Sequence, residues 1–245
     1  TQVIGAPERT AVWERGWAEA LEKFRANPCE ESLIPAFIHG KNPIRKKWNF
    51  YQPKGGEELA HCRSMQRDIA HRLSACDHIA EFGCGTGWNL FALAKLLPEK
   101  FFHGFDFSQS AVELGWMVTE RIKMQAEFCW FDMKSPTYGL SFGENTGVFT
   151  FGSVEQLAQN WQPFFEYLIE NKPQMVVHVE PVYELYDPTN LLDALAMRFH
   201  VKRGYARGWL PWLQNDPRVE VTDIKRTYFG STMHEGYSIV EWRPK

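Results

Sequence analysis

The 245-residue chain contains no apolar run of the roughly 18 to 20 residues that a membrane-spanning helix needs. Neither charge dominates: 27 Lys and Arg stand against 30 Asp and Glu, a formal net charge of −3. That balance offers no overall field for nucleic acid or an anionic membrane, so neither is expected as a partner, although a local patch is still compatible with it. Cysteine is sparse. Cys29, Cys62, Cys76, Cys84 and Cys129 are odd in number and scattered, and none forms a C-x-x-C pair. Neither a disulfide framework nor a zinc knuckle is expected, and a reducing cytoplasm is the expected setting. No basic stretch leads into an apolar core at the beginning, so no secretory signal is expected. Position 1 is Thr1 rather than Met, so the natural start is expected upstream. Internal repeats and low-complexity tracts are missing as well.

What is present suits a sizeable core: 44% of residues are hydrophobic and 15% aromatic. The length allows one large domain, or a domain with a modest appendage. Trp13, Trp17, Leu21 and Phe24 recur at helical spacing, which predicts an amphipathic helix over 11–26. Residues 27–55 read as an irregular loop or lid with the basic cluster Lys41, Arg45, Lys46 and Lys47 and the aromatics Trp48, Phe50 and Tyr51. Leu59, Cys62, Met65, Ile69 and Leu73 share one face of a second helix. Residues 1–75 are therefore expected to form a helical cap, and 76–245 the core.

From residue 78 the rhythm changes. Short apolar runs at 78–83, 101–107, 126–132, 146–152 and 174–181 alternate with helical patterns, among them 86–97, 109–123, 154–171 and 188–200. Strands alternating with helices predict a doubly wound, mostly parallel α/β sheet covered on both faces. Residues 219–229 and 236–244 are strand-like and joined by "GSTMHE", too short for a crossover helix. They are expected to pair as a C-terminal antiparallel hairpin at one edge.

The first strand of the core runs into "AEFGCGTGWNL", residues 80 to 90. In a parallel sheet, ligands bind beyond the carboxyl ends of the strands, and glycines there let a ligand approach bare main chain. The helix start that follows adds unpaired N–H groups. The dinucleotide fingerprint G-x-G-x-x-G requires glycine at 88, which is Trp88; the spacing here is G-x-G-x-G, after the acid Glu81. The second strand ends in Asp106, where a carboxylate can take both ribose hydroxyls of an adenosine. The third ends in Asp132, within reach of an adenine amino group.

"EFGCGTG", "GFDFS" and "FDM" resemble the successive cofactor motifs of class I S-adenosylmethionine-dependent methyltransferases, with a Rossmann-like seven-stranded sheet, over about residues 75 to 243. The terminal hairpin is a hallmark of that family. The resemblance implies that Glu81 and the loop of Gly83, Cys84, Gly85 and Gly87, with Asn89 just beyond it, lie under the methionine and ribose portion of S-adenosylmethionine. It implies that Asp106 holds the ribose, that Phe107 and Met133 flank the adenine, and that Asp132 accepts from its amino group. Phe151 would pass close to the methionine portion. A nicotinamide enzyme is the rival reading; the glycine spacing and the hairpin count against it.

Methyl transfer is an in-line displacement, so the protein mainly aligns the nucleophile and keeps it unprotonated. Candidate catalytic groups sit at the ends of the fourth and fifth strands: Glu155, His178 and Glu180. His178 also reads as a buried neutral core residue, and Glu155 as a first-turn acid opposing the helix dipole. Glu180 is expected to face the cleft. "YARGWLPWLQ", 205–214, either walls the pocket or packs on the sheet. Phe151-Gly152-Ser153-Val154 stands where the family's nucleobase amino-methylating members carry Asn/Asp-Pro-Pro-aromatic. The carboxylate cluster of the metal-dependent catechol type and the Pro-Cys of cytosine-C5 enzymes are also missing. The expected activity is metal-independent methylation of an oxygen or nitrogen of a small molecule. An RNA- or protein-directed methyltransferase, a noncatalytic cofactor-binding protein and a homodimer all stay open.

Overall fold

A computed structural model of the chain describes residues 7–39, 42–136 and 145–245. The chain opens with a long helix, α1 (Pro7–Ala26), and a single turn, α2 (Glu30–Leu33). Two short strands follow, β1 (Ile44–Lys46) and β2 (Asn49–Tyr51), then α3 (Glu57–Arg72). The alternation begins with β3 (His78–Phe82), α4 (Trp88–Leu96), β4 (Phe101–Asp106), α5 (Gln109–Ile122) and β5 (Ala126–Trp130). It continues through β6 (Thr146–Phe151), α6 (Gln162–Asn171), β7 (Met175–Glu180), α7 (Leu191–Arg203) and α8 (Trp209–Asn215). The chain closes with β8 (Val219–Lys225), β9 (Phe229–Ser231) and β10 (Ser238–Pro244).

Seven strands form one sheet in the order β5-β4-β3-β6-β7-β10-β8. The first five of these run parallel, and β10 is antiparallel to both its neighbours. Helices cover both faces, which is why β3, β6 and β7 are almost wholly buried apolar runs rather than alternating ones. The expected hairpin is present, with β10 inserted between β7 and β8 rather than outermost. Strand order reverses between β3 and β6, and a cleft opens at their carboxyl ends. On the α5 side, the ring of Phe128 fills the space that a Cβ at Gly104 or Gly115 would need, so α5 settles close onto the sheet. No helix among the described residues is long and apolar enough to cross a membrane.

Two stretches depart from expectation. The pattern over 154–171 is not one helix: a 3-10 turn spans Val154–Leu157, Ala158 turns to φ 56°, and α6 starts afresh with Pro163 in its first turn. Proline has no N–H to donate and fits best at a helix start, so it helps fix the new start there. The expected loop over 27–55 contains β1 and β2, which pair with β9 into a second, three-stranded sheet. The cap is therefore not purely helical. Trp48 packs edge-on against Tyr228 instead of closing over the cleft.

Nor is the basic cluster free to meet a ligand as a unit. Lys41 lies outside the described residues. Arg45 is buried in an ion cluster with Asp193 and Glu235, which Arg226 completes. Breaking a buried ion pair leaves an uncompensated charge and costs about 3–5 kcal/mol. Asp193→Ala, which strips both arginines of a partner, is expected to lower unfolding free energy by about that amount in urea titrations; a loss below about 1 kcal/mol, the scale of an exposed pair, would show that the cluster is open to water.

His178 belongs to the core and not to the cleft. Its Nε2 accepts from Trp242 Nε1 at 3.0 Å, so that nitrogen carries no proton. The proton sits on Nδ1, which donates to Thr150 Oγ1 at 2.9 Å. With Phe165 and Trp209 against the ring, both nitrogens are committed, and the expected catalytic role is corrected to a structural one. Burial holds the imidazole down to about 3. The unfolded chain protonates near 6.5, so this residue makes stability rise with pH between those values. In His178→Gln, stability measured by urea titration should fall less steeply from pH 6 to pH 4, by about 1.4 kcal/mol per pH unit. Equal slopes in the two proteins would mean that His178 takes up its proton inside the fold.

Candidate active site

The chain leaves β3 through a loop bent sharply by Gly83 at φ 74° and Gly85 at φ 52°, both in the left-handed region that favours glycine. Space is as tight as the geometry. A Cβ at Gly83 would strike Ser153, whose Oγ donates to the Phe82 carbonyl at 2.9 Å. A Cβ at Gly85 would stand 2.8 Å from Trp17. The bare main chain thus accommodates the loop after β6 on one side and the cap helix α1 on the other. Gly87 caps α4 and packs on Phe128. The cap is anchored where Glu14 accepts from Ser110 Oγ at 2.6 Å, at the start of α5.

Three acids stand around this loop. Glu81 is buried at the end of β3; its Oε1 accepts from Asn89 Nδ2 at 2.7 Å, and Asn89 in turn accepts from Gln66 at 2.9 Å. Its Oε2 has no hydrogen-bond partner among the described residues. Burial, with the nearby Asp106 charge, pushes Glu81 well above the ordinary carboxylate range. Asp106, at the end of β4, accepts from Gly85 N at 2.8 Å and Ser108 N at 2.9 Å. Burial still pushes it up to about 6. Asp132, just after β5, accepts from Lys134 N at 2.9 Å, which fixes the turn.

Two adjoining cavities fill the cleft. The first, about 150 Å³, is lined by Asp106, Phe107, Asp132, Met133 and the cap tryptophans Trp13 and Trp17. The second, about 350 Å³, carries Glu81, Cys84, Gly85, Asn89, Phe151 and Glu155 on the sheet side. Gly83, Gly152, Gln156 and the two tryptophans line both. All expected cofactor residues except Gly87 therefore line one continuous cleft.

The expected catalytic residues separate. Glu155 lines the second cavity; its Oε1 accepts from Gln156 at 2.8 Å, its Oε2 has no donor among the described residues, and its carboxyl adjoins that of Glu180. Glu180 does not reach the cavity, contrary to expectation. It is fully buried beneath the loop after β6, where its Oε1 accepts from Ser153 N at 3.0 Å. Burial first, then the adjacent Glu155 carboxyl, drive Glu180 well above its ordinary range. Among the described residues, no three His, Cys, Asp or Glu side chains gather as a metal ion would require.

The second cavity is also lined by Tyr205 and by four residues that were not foreseen, Glu58, Arg203, His234 and Tyr237. Tyr205 belongs to the "YARGWLPWLQ" stretch, whose Trp209, Leu210 and Leu213 pack inward, so that segment does both things expected of it. His234 and Tyr237 sit in the linker into β10. Their polar, aromatic composition in a segment leading into a core strand was the available signal.

No family model matches the chain. A curated relative, O-methyltransferase 3 of Dictyostelium discoideum, is 56% identical over 36 residues, which span 15% of this chain and 8% of that protein. Among solved structures, the fold is similar to N-methyltransferase NodS from Bradyrhizobium japonicum WM9 in complex with S-adenosyl-L-homocysteine. The TM-score is 0.59 at 11% identity, over 94% of this chain and 98% of that one. Magnesium protoporphyrin IX methyltransferase from Synechocystis PCC 6803, with bound SAH, gives a TM-score of 0.55 at 13% identity, over 77% of this chain and 85% of that one. The seven-stranded order, the inserted last strand and these likenesses agree: the chain has the class I S-adenosylmethionine-dependent methyltransferase fold.

Proposed function

We propose that this chain is an S-adenosylmethionine-dependent methyltransferase that methylates an oxygen or nitrogen of a small molecule without a metal ion. The observation that carries this reading is one cleft with an acid-flanked glycine loop at one end and a roomy, aromatic cavity at the other. The residues present fit the cofactor. Glu81 Oε2 is a shielded carboxylate oxygen with no partner, suited to an ammonium group. Asp106 retains lone pairs beyond those used by Gly85 and Ser108, suited to a pair of hydroxyls. Phe107 and Met133 offer apolar surface for a flat base, with Asp132 at its rim.

When bound, S-adenosylmethionine supplies a methyl group on a positively charged sulfur. The chain's own residues do the rest. Trp13 and Trp17 cover the cleft and exclude water, which strengthens every charge interaction inside it. Glu155, which lines the second cavity, takes the proton leaving the acceptor's oxygen or nitrogen. Glu180 supports the loop that carries Glu155 through its bond from Ser153 N, so its role is positioning. Five free cysteines suit the cytoplasm. The division into a cap over 1–75 and a core over 76–245 belongs to the same proposal, the cap being the cover of the cleft.

Calorimetry with S-adenosylhomocysteine tests the cofactor half. The protein should bind it, and Asp106→Ala should weaken binding by about 1–3 kcal/mol, the scale of a charge-assisted hydrogen bond. Absence of binding at millimolar ligand would end the reading. Glu155→Gln should slow turnover of an accepted substrate by about 100-fold or more, as loss of a general base does, with cofactor affinity unchanged. Full turnover in that variant would remove Glu155 as the base.

A further inference from the structure

We propose that the acceptor is an aromatic acid whose carboxylate seats on Arg203 in the second cavity. The inference rests on the methyltransferase reading and adds a substrate class to it.

Arg203 is the last residue of α7 and lines the cavity. Its guanidinium differs from those of Arg45 and Arg226 in lacking an ion pair among the described residues. Arg45 and Arg226 are each held by Asp193 and Glu235. Arg203 makes no ion pair with any carboxylate among the described residues, and its Nε is shielded from solvent without a hydrogen-bond partner. The Tyr205 ring faces it at 5.8 Å. A shielded donor without an acceptor is costly, and a guanidinium presents a planar fork that matches a carboxylate.

The surroundings reinforce the polarity. His234 shares the cavity wall, and its Nδ1 also lacks a partner. Burial, and then the charges of Arg203 and Arg45, hold this imidazole down to about 4, so at neutral pH it is an uncharged neighbour in a positive local field. An anion entering there meets attraction rather than competition. Another acid lining the cavity, Glu58, accepts from the Tyr237 hydroxyl at 2.8 Å, and burial raises its pKa, which lessens its repulsion of an incoming carboxylate.

The body of the acceptor follows from the remaining surface. Phe151 and Tyr237 stand 5.7 Å apart between centroids, and Phe37 and Tyr205 add two more rings to the cavity. Such walls favour a flat apolar core over a sugar or an aliphatic chain. With the carboxylate on Arg203, the rest of the molecule lies in the cavity that Glu155 and the glycine loop also line.

The test compares 4-hydroxybenzoate with its neutral analogue 4-hydroxybenzamide by calorimetry, on the wild type, Arg203→Gln and Arg203→Lys, each with and without saturating S-adenosylhomocysteine. The acid should bind about tenfold or more tightly than the amide, as one charge-assisted contact provides. The preference should vanish in Arg203→Gln and return in part in Arg203→Lys. Equal binding of acid and amide, failure of both to bind, or a preference that survives Arg203→Gln would overturn the proposal. The S-adenosylhomocysteine titration separates the two readings. If it binds and no acid preference is seen, only the acceptor class is wrong; if it does not bind, the methyltransferase reading falls, and the cofactor-free titrations still judge Arg203. Unchanged S-adenosylhomocysteine affinity in Arg203→Gln shows that the variant is folded.

Discussion

Arg45, Asp193, Arg226 and Glu235 come from four separate stretches of chain and meet where water barely enters. Removing an ion from water costs several kcal/mol even after relaxation, so such a cluster persists only if its members satisfy one another. Here they nearly do. Asp193 accepts from both arginines and from Asp187 N at 3.0 Å, and Glu235 also faces both arginines. Tyr186 lies beneath the two guanidiniums, and its hydroxyl accepts from Glu235 N at 2.9 Å. Two positive and two negative groups leave no net charge inside.

This cluster matters because of what its members are attached to. Arg45 sits on β1 of the cap, Asp193 opens the helix that ends in Arg203, and Glu235 follows His234. One set of ion pairs therefore fixes the cap, α7 and the linker before β10 relative to each other. The two halves of the cleft have different foundations. The glycine loop and Asp106 rest on the ladder of the parallel sheet, whereas the side that carries Arg203 and His234 rests on side-chain charges. Hydrogen bonds of the sheet follow from its ladder, whereas the charge cluster depends on four particular side chains.

The same division explains what the sequence made legible. Gly83 and Gly85 after β3, Asp106 at the end of β4 and Asp132 after β5 could be placed at the cleft because three successive strands end there, so position along the chain and position in space coincide. The hairpin was readable because its connection is short. The β1–β9 pairing was not, since Ile44 and Ser231 are joined by strands of three residues, too brief to show a period. Arg45 looked like one member of a solvated basic run, and no local signal marks an arginine whose partners lie far along the chain. His178 and Glu180 were placed on one face by their spacing of two, which is sound. That spacing could not reveal that Trp242 and Trp209 cover the face at His178, or that the loop after β6 covers it at Glu180.

Electrostatic polarity ties the halves together. At the sheet edge, burial raises Glu81, Asp106 and Glu180, so each is an acid that resists ionising in the absence of positive charge. A ligand bringing an ammonium or a sulfonium close to Glu81 and Asp106 would relieve that resistance and draw the carboxyls toward their charged forms. At Arg203 the sign is reversed: a guanidinium with no ion pair among the described residues lines the cavity with His234, whose imidazole is held neutral. A cationic methyl donor beside Glu81 and Asp106 and an anionic acceptor on Arg203 would each find a partner of opposite charge. Held in one cleft, the two charges would also attract each other.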